Sequence, residues 1–173
     1  KLCQNAYWFS HKAHNSKAKV IYSHIYDIND DIGYFDISTI GSVLLHLKHP
    51  FIAIEKILKV TKEKAIITDF YPSNYRLNLF KHLIRYLPQN LKQFILRNRS
   101  KQTHIQMLCH SLENHLNMFA WYKLSPEAIA NIARIYGFEK NTITHHIQYQ
   151  NKIPIDFYTI VCERTVPIKK CYY

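Results

Sequence analysis

Residues 34–71 read YFDISTIGSVLLHLKHPFIAIEKILKVTKEKAIITDFY. Phe35 to Ile40 is a short β-branched run closed by Gly41-Ser42, the pattern of a strand ending in a turn. Val43 to Leu47 begins a helical turn before Pro50. From Pro50 to Val60, Ile54, Ile57 and Leu58 recur at helical spacing, with proline tolerated in the first turn. Lys64 to Phe70 is then almost all apolar after its lysine, the pattern of a strand covered on both faces, and it reaches Asp69 near its end. Strand, helix and strand in this order predict a parallel pair with the helix laid across it.

Working outward, Lys19 to Ile25 (KVIYSHI) is rich in β-branched and aromatic residues and runs into Tyr26-Asp27 and the polar stretch 29–31, so a strand ending in a loop is expected. On the other side, Ser125-Pro126-Glu127 opens a helix with an N-cap serine and a first-turn proline. Ile129, Ile132, Ala133 and Tyr136 carry it, and Gly137 closes it. Thr142 to Gln148 and Phe157 to Arg164 are two further β-leaning runs, which suits a terminal antiparallel pair. The whole reads as an α/β domain with a mostly parallel sheet. Between Asp69 and Glu113 there is no acidic residue, while Arg76, Lys81, Arg85, Lys92, Arg97, Arg99 and Lys101 accumulate. Leu77, Phe80, Leu83, Ile84 and Leu87 have helical spacing inside this segment, so residues 70–121 are expected to be a helical, basic insertion.

The chain has 173 residues, 23 Lys+Arg against 12 Asp+Glu, and a formal net charge of +11; 47% of it is apolar. That balance excludes a disordered tail and fits one folded domain. With only three glycines and no GxGxxG or GxxxxGK[ST], a full phosphate-cradling loop is excluded within these residues. No run reaches the length of a membrane span, and the opening residues do not read as a signal peptide, so a cytoplasmic protein is expected. Cys3, Cys109, Cys162 and Cys171 form no CxxC pair, so free thiols are expected rather than a disulfide framework or zinc site. HExxH is absent, and the histidine spacings (46/49 and 110/115) do not suit one metal ion, so no metal is expected.

The ordered combination of FD, the Gly-Ser turn, LLHLKHP and AIEKILKVTKEKAIITD resembles class I S-adenosylmethionine-dependent methyltransferases, among them the tRNA wobble-uridine type and their small-molecule relatives. Flanking pieces agree. WFSHKAHNSKAKVIYSHIYDI resembles a helix and strand ending in an adenine-contacting acid, WYKLSPEAIANIARIYGFE a Trp-containing segment and last helix, and DFYTIVCER the final antiparallel strand. The resemblance spans residues 6–164. It implies a partial Rossmann-like fold in one incomplete domain over residues 1–173, with residues 70–121 as a substrate cap. The family's first strand with its glycine-rich turn, and the second with its ribose-binding acid, are not found in this chain. About 50 to 60 residues are therefore expected in front of Lys1.

The resemblance also implies site residues. Asp27 would accept from the adenine amino group of S-adenosylmethionine, and Ile28 would flank the ring; a turn aspartate satisfying local N–H groups is the plainer alternative. Gly41 and Ser42 would border the cofactor, or simply end a strand. His46 would sit near the transferred methyl group, as a base or in a positioning role. Asp69, Tyr71, Trp121 and Tyr122 would border the acceptor, although Trp121 and Tyr122 would equally serve to anchor the insertion. The acceptor is expected to be a small molecule or tRNA. A second expectation is a catalytically inactive module that binds nucleic acid through the basic 76–101 segment.

Overall fold

The computed structural model describes residues 2–72, 87–88, 90–91, 103–108, 120–150 and 152–167. Among these, three α-helices and six strands form: α1 (Leu2–Ala13), β1 (Phe35–Gly41), α2 (Pro50–Val60), β2 (Thr61–Phe70), β3 (Ile105–Met107), β4 (Tyr122–Leu124), α3 (Pro126–Ile135), β5 (Lys140–Gln150) and β6 (Ile153–Glu163). The main sheet has the order β1-β2-β6-β5, and β3 pairs with β4 apart from it. β1 runs parallel to β2, with Ile40 beside Ile67 and Gly41 beside Thr68. β6 is antiparallel to both β2 and β5. β1, β2 and β5 therefore point one way, and the last strand alone runs against them, as the sequence leads one to expect.

Alternation along the strands decides what each face does. Ile40, Ala65, Ile67, Ile160 and Cys162 form one face, and α2 and α3 cover it with Ala53, Ile54, Leu58, Ile129, Ala130 and Ala133. α2 starts on Pro50 behind a non-helical His49, and α3 starts on Pro126 behind Ser125, whose Oγ accepts from the Ala128 N–H. Gly137, at φ 83, supplies the left-handed residue that ends α3. Cys162 is a free, buried thiol, and burial pushes its pKa up to about 12, so it is chemically quiet.

Two expectations need correction. Lys19 to Ile25 does not form a strand: the backbone is irregular and tightens into a 3₁₀ turn at Ile25–Asp27. A strand exists only where a neighbour accepts its backbone hydrogen bonds. Among the described residues none is provided here, and Ile21 and Tyr22 stay 61% and 68% exposed. Asp27 consequently lies in a turn, not at a strand end. The 70–121 segment is also not helical throughout, because its described end carries β3, paired antiparallel with β4. The remainder of the expected helical insertion, including most of the basic 76–101 segment, lies outside the described residues, as do Cys109 and Cys171.

Candidate active site

Three pieces of chain meet where β1 and β2 end. After Gly41 the chain turns at Ser42, whose φ of 50 places a non-glycine residue in the left-handed region, and whose N–H donates to the Thr68 carbonyl at 2.8 Å. That bond ties the turn to β2 and compensates the strain of the left-handed residue. A 3₁₀ turn follows at Leu44–His46; burial of Leu44 and Leu45 leaves His46 on the exposed side. The Leu45 carbonyl accepts from the Trp121 N–H at 2.6 Å, which seats the approach to β4 on this turn.

Asp69, 3% exposed, lies beneath it at the end of β2. Its Oδ1 accepts from the Phe70 N–H at 2.7 Å. Burial dominates its titration and raises the pKa to about 6, against the opposing pull of the Phe70 and Leu45 N–H groups and of the positive charges at His46 and Lys123. Tyr71 follows, buried, with its N–H donating to the Asp156 carbonyl at 2.9 Å; its ring lies 5.1 Å from His145 and 6.2 Å from Tyr158. The Tyr158 hydroxyl donates to the Leu124 carbonyl at 2.9 Å, joining β6 to β4. Tyr122 packs against the core and pairs with Met107.

Seven of the residues singled out from sequence (Gly41, Ser42, His46, Asp69, Tyr71, Trp121 and Tyr122) thus gather at one end of the sheet. They do not play equal parts. Gly41 and His46 are exposed and Ser42 and Trp121 half-buried, whereas Asp69 and Tyr71 are buried beneath them. Asp27 and Ile28 sit apart, in and just after the 3₁₀ turn. Tyr26 places that turn at the start of α2, since its hydroxyl accepts from the His49 N–H at 3.2 Å. The Asp27 N–H closes the turn on the His24 carbonyl at 3.0 Å, and its exposed carboxylate has no partner among the described residues.

Chemically the site offers a free carboxylate at Asp27, an exposed imidazole over a buried carboxylate, and open space beside the end of β1. A Cβ built on Gly41 would meet no atom within 4 Å, so the glycine is not demanded by the protein's own packing. The free Asp27 acceptor and this open edge fit an adenine-bearing cofactor laid across the strand ends. Among the described residues no group of three His, Cys, Asp or Glu side chains is arranged to hold a metal ion, and no helix is long and apolar enough to cross a membrane. Sequence reasoning missed Lys48, Lys123 and Tyr158. Lys123 has one legible signal, its alternation with the core-facing Tyr122 and Leu124.

No family model matches this sequence, and no curated protein is similar to it. Solved structures are. The N-terminal domain of EvdMO1, crystallised with S-adenosylhomocysteine bound, superposes with a TM-score of 0.54 at 11% identity, over 90% of this chain and 58% of that one. An O-methyltransferase family protein from Burkholderia thailandensis superposes with a TM-score of 0.50 at 12% identity, over 93% of this chain and 40% of that one. This chain therefore spans 58% and 40% of the length of these two structures. With β1, β2 and β5 co-directed, β6 reversed between β2 and β5, and these neighbours, the chain has in part the fold of class I S-adenosylmethionine-dependent methyltransferases.

Proposed function

We propose that this chain is the acceptor-side part of an S-adenosylmethionine-dependent methyltransferase. The observation that carries the reading is the convergence of the Ser42 turn, His46, Asp69 and Trp121 at the carboxyl ends of co-directed strands, the crevice where open α/β sheets bind ligands. S-adenosylmethionine would supply an electrophilic methyl group on its sulfonium. The chain's own residues bind and orient. Asp27 accepts a hydrogen bond from the adenine amino group and Ile28 flanks the ring, while Gly41 and Ser42 line the cofactor's path. Trp121 offers a ring to the acceptor, with Tyr122 and Tyr71 behind it. His46 accepts the proton that an oxygen or nitrogen nucleophile loses on methylation, and Asp69 beneath it favours the imidazolium so formed.

The partial domain bears on activity. A glycine-rich turn presents backbone N–H groups to a carboxylate, and a second acid holds ribose hydroxyls; neither is found in residues 1–173. Equilibrium dialysis of residues 1–173 with labelled S-adenosylmethionine is expected to show no saturable micromolar site. A stoichiometric site at that concentration would overturn the account of what the chain lacks. In a protein that carries those elements in front of Lys1, His46→Gln is expected to lower the methyl-transfer rate by about 10²-fold with cofactor affinity unchanged. An unchanged rate would leave His46 a packing residue.

A further inference from the structure

Lys48, Trp121, Lys123, Phe70, Phe157 and His146 form a row of two lysines and four rings. The Lys48 Nζ lies 5.3 Å over the Trp121 ring. Trp121 and Lys123 are two residues apart on extended chain, so they project to the same side, opposite the core-facing Tyr122 and Leu124. The Lys123 Nζ lies 6.0 Å over the Phe70 ring. Phe70 and Phe157 are cross-strand partners with ring centroids 4.3 Å apart, and His146, the next partner along, stacks on Phe157 at 5.8 Å with 15° between the planes. The row runs from the loop after β1 across the end of β2 to β6 and β5.

Resting on the methyltransferase reading, we infer that this row is the acceptor subsite and takes a planar ring bearing an anionic group, either an aromatic carboxylate or a nucleotide phosphate. Trp121 is half-buried and Lys48 exposed, so a flat ligand has a face to lie on and an ammonium group to meet. Phe70 and His146 are also half-buried, which extends the stacking surface by two rings. Among the described residues, Asp69 and Asp156 are the carboxylates next in sequence to the row's Phe70 and Phe157. Asp69 belongs to the helix-covered face and is buried, and of the row it is Lys123 whose charge acts on it. Asp156, half-buried, lies next to Phe157 on β6 and alternates to the face opposite that ring. A cationic acceptor would meet the exposed Lys48 ammonium here, and a neutral one would give it no ligand counter-charge.

The test uses ¹⁵N-labelled chain and two matched pairs of probes: 2-naphthoate against 2-naphthamide, and cytidine 5′-monophosphate against cytidine. The expected result is that the anionic member of at least one pair binds roughly fivefold to tenfold more tightly than its neutral partner. The largest shifts should fall on the Trp121 indole and on the amides of Phe70 and Lys123. Preference for the naphthoate identifies a carboxylate ligand, and preference for the nucleotide identifies a phosphate. Lys48→Gln and Lys123→Gln should each reduce the discrimination. Equal binding of anionic and neutral probes by the unaltered chain, shifts centred elsewhere, or no binding of any probe would overturn the inference without any variant having to fold. S-adenosylhomocysteine titrated separately into a protein that carries the glycine-rich turn and ribose-binding acid in front of Lys1 keeps the two readings apart, because its failure to bind there counts against the cofactor assignment and not against this row.

Discussion

Arg164 holds the amino-terminal end of β2 to the helices. Its guanidinium donates to the carbonyls of Leu58 (2.8 Å), Thr61 (3.0 Å), Tyr136 (2.9 Å) and Val166 (3.3 Å), and lies 4.2 Å from the Phe138 ring. A planar fork reaches the ends of α2 and α3 together, which a single ammonium cannot do. Arg164→Lys is therefore expected to cost about 2 kcal/mol of stability, read as a lower urea midpoint with unchanged slope.

Asp69 makes the opposite demand. Its pKa is raised from 3.8 to about 6, so the folded state holds this proton more tightly than the unfolded one. Stability should then fall as pH rises from about 4 to 6, by up to about 3 kcal/mol, and stay low above that window. Asp69→Asn should remove this slope, leaving the variant at least as stable as the parent at pH 7 and less stable at pH 4. Urea midpoints measured across that range would show it, and parallel curves for the two proteins would contradict it.

At the scale of elements, α3 depends on its cap. The Ser125 Oγ accepts from the N–H groups of Ala128 and His104, each at 3.2 Å, in a fully buried setting. Ser125→Ala should cost about 1 kcal/mol, checked by thermal melting, because the cap's side-chain acceptor is lost to the Ala128 and His104 N–H groups, although that of Ala128 keeps the Ser125 carbonyl. This cap was legible in the sequence, as were β1, α2, β2, the closing Gly137 and the β5–β6 pair, because each carries its own periodicity and punctuation. Lys19 to Ile25 misled for a physical reason: its residues suit a strand, but a strand is a relation between two segments, and composition reports only one of them. β3 and β4, three residues each, are too short to carry a period. Within the site, the Gly-Ser turn, His46 and Asp69 were readable from their place after strands. Asp69's burial, and the pairing of Lys48 with Trp121 and of Lys123 with Phe70, arise from contacts across the fold and leave no local mark.

At the scale of the whole molecule, the described residues are distributed unevenly about the sheet. One face of the sheet is covered by α2 and α3, whereas β1 forms an outer edge with Phe35 and Ile37 exposed, Ile37 by 55%. An edge strand with apolar side chains is a template for further pairing, so residues 1–173 alone are expected to self-associate, and sedimentation at increasing concentration would reveal it. The same edge is where the cofactor-binding elements of a full domain would be added. The central claim is that Asp27 belongs to an S-adenosylmethionine site completed by such elements, and calorimetric titration of the completed protein with S-adenosylmethionine tests it most directly. Asp27→Ala should weaken binding by about 1 to 3 kcal/mol while the fold stays intact; unchanged affinity in that variant, or no binding by the folded parent, would contradict the account.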